Sequence, residues 1–369
     1  MAKLKILFDC SPAYKPTKTG IPFFVKELYN ELEKIEDITV EKTLDISQYI
    51  SRKPHKFFRF FEQLLYHNIY LPLKLKWGKY DVYVENQYMF LPVFTPKNTL
   101  IVNMVYDIAL ILLDNIHTQE HIANWRKQFP KSLHNTDIII TISKSSMHDI
   151  QIYLNDINQS QKEIDYIYAD ICLNQQDKNY AKDTLKKFGI VEEYFLFLGT
   201  LEPRKNPLTL VAAFHLFKTQ TKSKIKLVFA GQRGWLYDDV MSYIKTHDLE
   251  NEVLFTGYIS DEDKITLLKH TKAFMFLSVY EGFGIPALEA MKLGTPTLLS
   301  DIPVFHELFE TSALYVDHHN PLDIAQKMEE ILKSPPQISP DIFKKFSWES
   351  SAYKFVKILK CYNKEYHKL

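Results

Sequence analysis

The stretch FMFLSVYEGFGIPALEAMKLGTP, residues 274–296, governs how the rest of the chain is understood. It opens with an apolar run, Phe274 to Val279, of the length of a strand buried on both faces. Glu281 follows, then Gly282 and Gly284 bracket Phe283 ahead of Ile285. Pro286 suits the first turn of a helix and Gly294 its end. Strand, glycine turn and helix N-terminus gather backbone N–H groups at one point, where the helix dipole also favours negative charge. The segment therefore predicts an anion site. Glu281 and Glu289 would repel a phosphate held there unless they bind something else, such as hydroxyl groups. A phosphate beside a polyol is the chemistry this implies.

The neighbouring apolar runs of the second half end in groups of the same character. These runs are Tyr194 to Leu198, Lys226 to Ala230, Val253 to Phe255 and Thr297 to Leu299. The first leads into Gly199-Thr200-Leu201-Glu202-Pro203-Arg204-Lys205-Asn206, with Asn206 and Pro207 placed to start a helix. Arg204 and Lys205 can clamp a diphosphate leaving group, or form a solvated charge pair in a turn. Gly231 in Gly231-Gln232-Arg233-Gly234 permits close backbone approach. Tyr258, after Thr256-Gly257, offers a ring to a nucleobase.

The first half shows the same alternation. Apolar runs at Leu4 to Phe8, Asp81 to Val84, Leu100 to Tyr106 and Asp137 to Ile142 are separated by helical stretches, one with Phe24, Leu28 and Leu32 on a face. Alternating strands and helices give an α/β chain of parallel βαβ units in doubly wound sheets, with ligands beyond the C-terminal strand ends. Gly20, Asp107 and Ser143 lie there. The polar stretch 155–185 suggests a boundary within 170–190. The expected domains are residues 1–175 and 185–345, with a terminal helix over 346–369. A length of 369 residues fits two domains.

Composition narrows the classes. Hydrophobic residues make up 46% and charged residues 24%, as in soluble globular proteins. Lys and Arg number 45 against 45 acids, so no global field argues for nucleic acid. Cys10, Cys172 and Cys361 show no metal or redox spacing, which fits a reducing compartment. The N-terminal apolar run is too short for a signal peptide, so a cytoplasmic location is expected. Residues 52–79 carry seven Lys or Arg against one acid, Glu62, among many aromatics. Such a segment can lie on an anionic membrane surface, or cover a sheet while its basic face stays solvated.

Several motifs are absent, among them GxGxxG after the first strand, a Walker lysine, HExxH and GxSxG. Asp261-Glu262-Asp263 has metal-ligand spacing, but acids in a helix's first turn explain it better. His318-His319 reads as a surface turn before Asn320-Pro321.

The spacing Glu281-x7-Glu289, followed by Ala-Met-Lys-Leu-Gly-Thr-Pro, resembles the retaining GT-B glycosyltransferases of family 4. Residues 199–206, GTLEPRKN, are similar to the opening of the donor domain in that family's mannosyltransferase-like members. Gly20, Tyr106-Asp107 and Ile142-Ser143-Lys144-Ser145 resemble acceptor-domain segments. The resemblance implies two Rossmann-like domains facing a cleft, the last helix returning to the first domain, and metal-independent transfer with retention. It implies Glu281 on the donor sugar's hydroxyls and Glu289 on the ribose. Gly282, Phe283, Gly284 and Ile285 would lend backbone N–H groups, and Arg204 and Lys205 would neutralise the departing diphosphate. Gly20 would approach the phosphates, and Thr200, Gly231 and Tyr258 complete the donor side. Asp107 is counted with the catalytic residues, and Tyr106 and Ser143 with the acceptor side. Many members carry His where Tyr106 stands and Arg where Thr200 stands.

The expected function is transfer of a hexose from a GDP- or UDP-linked sugar to a glycan or lipid-linked hydroxyl in bacterial surface-polysaccharide synthesis, without a cofactor or metal. The protein would work at the inner face of the plasma membrane. A non-hydrolysing nucleotide-sugar epimerase and a silent nucleotide-sugar-binding subunit are the alternatives.

Overall fold

A computed structural model describes residues 3–14, 20–44, 65–87, 92, 94–114, 116–171, 173, 178–234 and 237–366. The chain divides into two compact units. The first comprises residues 1–112, 119–170 and 346–369, and the second residues 113–118 and 171–345.

The first unit is built on a six-stranded sheet of β1 (Leu4–Phe8), β2 (Ile38–Lys42), β3 (Val82–Glu85), β4 (Leu100–Met104), β5 (Ile138–Thr141) and β6 (Glu163–Tyr166), in the order β2-β1-β3-β4-β5-β6. Every pairing is parallel. All residues of β3, β4 and β5 are buried, which is why these strands read as unbroken apolar runs. Helix α1 (Ile21–Leu32) buries Phe24, Val25, Leu28, Tyr29 and Leu32. The terminal helix, Trp348–Tyr366, belongs to this unit and packs on α1, with the Trp348 ring 5.1 Å edge-on from Phe24. Ser351 Oγ anchors it by donating to Tyr168 O at 2.6 Å.

Of the basic aromatic segment, residues 52–64 lie outside the described residues. From Leu65 the chain forms a π-helical stretch, Tyr66–Tyr70, running into α2, Leu71–Gly78. Tyr66, Leu71 and Leu75 pack with Leu7, Tyr83 and Ile101, so one face of this helix covers the sheet.

The second unit holds β7 (Tyr194–Leu198), β8 (Lys226–Ala230), β9 (Val253–Gly257), β10 (Ala273–Phe276), β11 (Thr297–Ser300) and β12 (Leu314–Val316), in the order β12-β11-β10-β7-β8-β9. Its pairings are parallel too. Phe195, Phe197, Phe214, Phe217 and Phe229 crowd its core. β7 is the first strand in sequence, and it lies between β8 and β10. Crossovers therefore depart to both sides of it, and the β7/β10 edge is the switch point at which α/β sheets bind ligands.

Two expectations need correcting. The run 274–279 leaves the sheet at Phe276, because the Val279 N–H is taken by Arg204 O at 2.8 Å instead of a strand partner. His318 is buried rather than a surface residue, while His319 beside it is exposed.

Candidate functional site

Two loops leave the C-terminal ends of β7 and β10 and meet at the switch point. After β7, Pro203–Lys205 form a single 3-10 turn, and Asn206 takes a left-handed conformation, φ 58°, before the helix Pro207–Thr221. Asn206 thus stands at the helix start without capping it by its side chain. Its amide instead donates to His318 O at 2.7 Å. This turn aims Arg204 and Lys205 at the loop after β10. Arg204 Nη1 lies 3.0 Å from Glu281 Oε2 and donates to Tyr280 O at 3.1 Å, and Nη2 meets Glu202 Oε1 at 3.0 Å. Lys205 Nζ bonds to Glu281 Oε1 and sits 4.7 Å over the Phe276 ring.

Glu281 is buried between these two cations. Burial opposes its ionisation, but Arg204 and Lys205 outweigh that and hold the carboxyl down at about 2. The cluster is a carboxylate with both oxygens occupied, one by Arg204 and one by Lys205. Glu202 shares Arg204, and its place two residues before that cation in the loop is the sequence feature that marks it.

Glu281 is followed by Gly282, Phe283 and Gly284, all buried. Gly284 has φ 102°, and a Cβ there would sit 2.7 Å from the Phe305 ring, so only glycine fits. The helix Ile285–Lys292 starts at this point with Pro286 in its first turn. The backbone of residues 282–285 therefore stands at a helix N-terminus directly after the Glu281–cation cluster. Further along, buried Glu289 binds Lys264 Nζ at 2.6 Å. Lys264 also reaches Asp261 at 3.2 Å. Burial works against its charge, yet Glu289 and Asp261 outweigh this and raise its pKa. No sequence motif marked Lys264, which lies 25 residues from its partner.

The other second-unit candidates divide by what their atoms touch. Tyr258 is exposed beyond β9, and Thr200 is exposed beyond β7. Gly231, φ 147°, is packed so closely that a Cβ would lie 2.0 Å from Gly199 O. Its lack of a side chain serves the β7–β8 junction. Asp261 and Asp263 belong to the helix Asp261–His270, which Ser260 caps by accepting from Asp263 N. Asp263 is bound by Thr184 and Lys187. Among the described residues no group of three potential metal ligands occurs.

In the first unit, Gly20 heads α1 with φ 65° and is exposed. Tyr106 is buried, its hydroxyl donating to Asn86 Oδ1 at 3.1 Å and its ring edge-on to Phe24. Asp107 Oδ1 accepts from Ala109 N at 3.0 Å. Ser143 is buried as the N-cap of the helix Lys144–Asp156, accepting from Ser146 N at 3.0 Å. Three polar side chains that the motifs did not mark cluster here, at the β1 and β3 ends. Asp9 accepts from Ser11 and Thr43. Asn86 donates to Asp9 O at 2.7 Å, and Glu85 accepts from Tyr83 and Gln87. Burial raises the Glu85 carboxyl well above the usual range, and Asp9 adds to this.

Residues 182–347 match the family model described as glycosyl transferases group 1. The O-antigen chain mannosyltransferase B of Escherichia coli is 28% identical over 234 residues, 63% of this chain and 60% of its own length. The chain thus spans less than two thirds of that relative. Sucrose-phosphate synthase from Thermosynechococcus elongatus is similar in structure, with TM-score 0.67 and 16% identity over 97% of this chain and 98% of that one. The Anabaena protein HepE, solved in complex with UDP and glucose, has TM-score 0.65 and 15% identity, covering 97% of this chain and 99% of its own. Residues 182–347 therefore resemble a glycosyl transferases group 1 domain, and the chain has the two-domain α/β fold, GT-B, of these structural neighbours.

Proposed function

We propose that the protein transfers a hexose, with mannose as the leading candidate, from a nucleotide-diphosphate sugar to a hydroxyl of a glycan or lipid-linked acceptor in bacterial polysaccharide synthesis. The observation that carries this is the pairing of Arg204 and Lys205 on Glu281 beside the N-terminus of the helix Ile285–Lys292. A departing diphosphate needs preorganised positive charge, and two half-buried cations with a helix N-terminus supply it without reorganisation. The mannosyl choice is supported by the O-antigen relative, and the nucleotide by the UDP bound to HepE.

In this proposal Arg204 and Lys205 take up the diphosphate charge that grows as the anomeric C–O bond breaks. Glu281 orients the pair and accepts from sugar hydroxyls, and Glu289 meets the ribose. Tyr258 stacks on the base. The acceptor hydroxyl attacks from the leaving-group side, giving retention, with its proton passing to a donor phosphate oxygen. These side chains carry the leaving-group charge, so no metal is required of the protein.

Thermal-shift titration with GDP, UDP, ADP and CMP tests the nucleotide, because a ligand of the folded state raises Tm by mass action. One nucleoside diphosphate should stand out, and its mannose or glucose conjugate should label a polyprenyl-linked or oligosaccharide acceptor. Tm unchanged with all four nucleotides would remove the donor assignment. Epimer formation from the donor without any acceptor would replace transfer by epimerisation.

A further inference from the structure

The helix from Leu65 to Gly78 has a second face. While Tyr66, Leu71 and Leu75 turn to the sheet, Leu65, Ile69, Leu73 and Trp77 are 40%, 51%, 36% and 73% exposed. They recur every fourth residue, so they form one apolar line along the outer face. At 1.5 Å per residue the line is about 18 Å long. The π-helical turn at Tyr66–Tyr70, wider than an α-turn, keeps Leu65 and Ile69 in line with Leu73.

Charge identifies the occupant. Residues 65–80 contain Lys74, Lys76 and Lys79 and no Asp or Glu. Lys74 is held by Glu41, but Lys76 and Lys79 are exposed and flank Trp77. A narrow apolar line with lysines at its rim and a tryptophan at its end matches an interfacial helix on anionic lipid. Tryptophan favours the headgroup level, and each nearby lysine gains from the negative surface potential. No described helix is long and apolar enough to cross a membrane.

We propose that the outer face of residues 65–79 docks the first unit on an anionic lipid bilayer. Leu65, Ile69, Leu73 and Trp77 enter the headgroup–acyl boundary, and Lys76 and Lys79 pair with lipid phosphates. The proposal does not depend on the transferase reading, since vesicle binding is measured without donor or acceptor.

The test is flotation of the full chain with vesicles of equal phosphatidylglycerol and phosphatidylcholine, against phosphatidylcholine alone. The wild type should partition onto the anionic vesicles at least about tenfold better, less so as salt rises. Ile69→Ser/Leu73→Ser/Trp77→Ser should lose about tenfold or more of that binding. Lys76→Glu/Lys79→Glu should lose about tenfold or more on anionic vesicles alone. All five side chains are exposed, so melting curves should not move. As an independent readout, brominated lipids should quench a tryptophan emission present in the wild type and missing from Trp77→Phe. Equal flotation of the wild type and the triple variant would overturn the proposal, as would absence of wild-type binding. A dimer in sedimentation velocity that the triple variant abolishes would assign the face to a second copy instead.

Discussion

Glu281 is held by charges it did not bring with it. Its partners Arg204 and Lys205 lie 76 residues away in sequence, and all three are mostly buried. Removing the negative member of such a cluster strands two cations, so Glu281→Gln should lower stability by about 2–4 kcal/mol in urea unfolding. Under the transfer proposal, turnover should also fall severely, and a nucleoside diphosphate should raise the variant's Tm, its phosphates replacing the lost charge. An unchanged urea midpoint would mean that the cluster contributes nothing to the fold. The pH dependence has a definite sign. The Glu281 carboxyl titrates near 2 in the folded chain against an ordinary 4.5, so its stabilisation is complete above about 4.5 and is lost as pH falls toward 2. The Tm difference between wild type and Glu281→Gln should therefore be constant above pH 5 and narrow steadily below it.

Elements explain residues whose roles sequence motifs assign differently. Ser143 stands among acceptor-side candidates, yet its hydroxyl caps the helix Lys144–Asp156. Ser143→Ala should cost about 1 kcal/mol of stability through the lost cap. A role in acceptor binding would instead raise KM with Tm unmoved. Gly231 is similar. A methyl group there would meet the Gly199 carbonyl at 2.0 Å, whereas one at Gly257, φ 69°, would meet nothing within 4 Å. Gly257→Ala should cost about 1 kcal/mol for its left-handed backbone alone, and Gly231→Ala clearly more, by about 1–3 kcal/mol of overpacking. Comparing their urea midpoints checks the order. Tyr106 and Asp107 follow the same pattern, one hydroxyl held by Asn86 and one carboxylate closing a turn. A motif records which side chain is present, but hydrogen-bonding neighbours decide where it points.

At the scale of the whole molecule, the second unit is nearly one continuous run, residues 171–345, whereas the first needs residues 346–369 from the far end. Trp348, Ala352, Phe355, Val356, Ile358 and Leu359 are all buried there. Burying such side chains stabilises by about 1.5–3 kcal/mol for each large one, a total comparable with the whole stability of a domain. A chain ending at Lys345 should therefore lose the cooperative unfolding of its first unit by calorimetry. Residues 171–345 alone should fold and keep any nucleotide-induced Tm shift. The sequence by itself determined the alternation of strands and helices, because parallel strands buried on both faces leave unbroken apolar runs. It also determined the glycine turn and helix start after Glu281, since φ 102° at Gly284 and the first-turn Pro286 are local requirements. Only the tertiary structure decided strand order, and with it the meeting of Arg204 and Lys205 with Glu281. β7 and β10 are neighbours in the sheet but separated by two strands in the chain, and no local pattern encodes that adjacency. The same holds for the terminal helix, whose apolar face is legible in sequence while its partner, α1, is more than three hundred residues away.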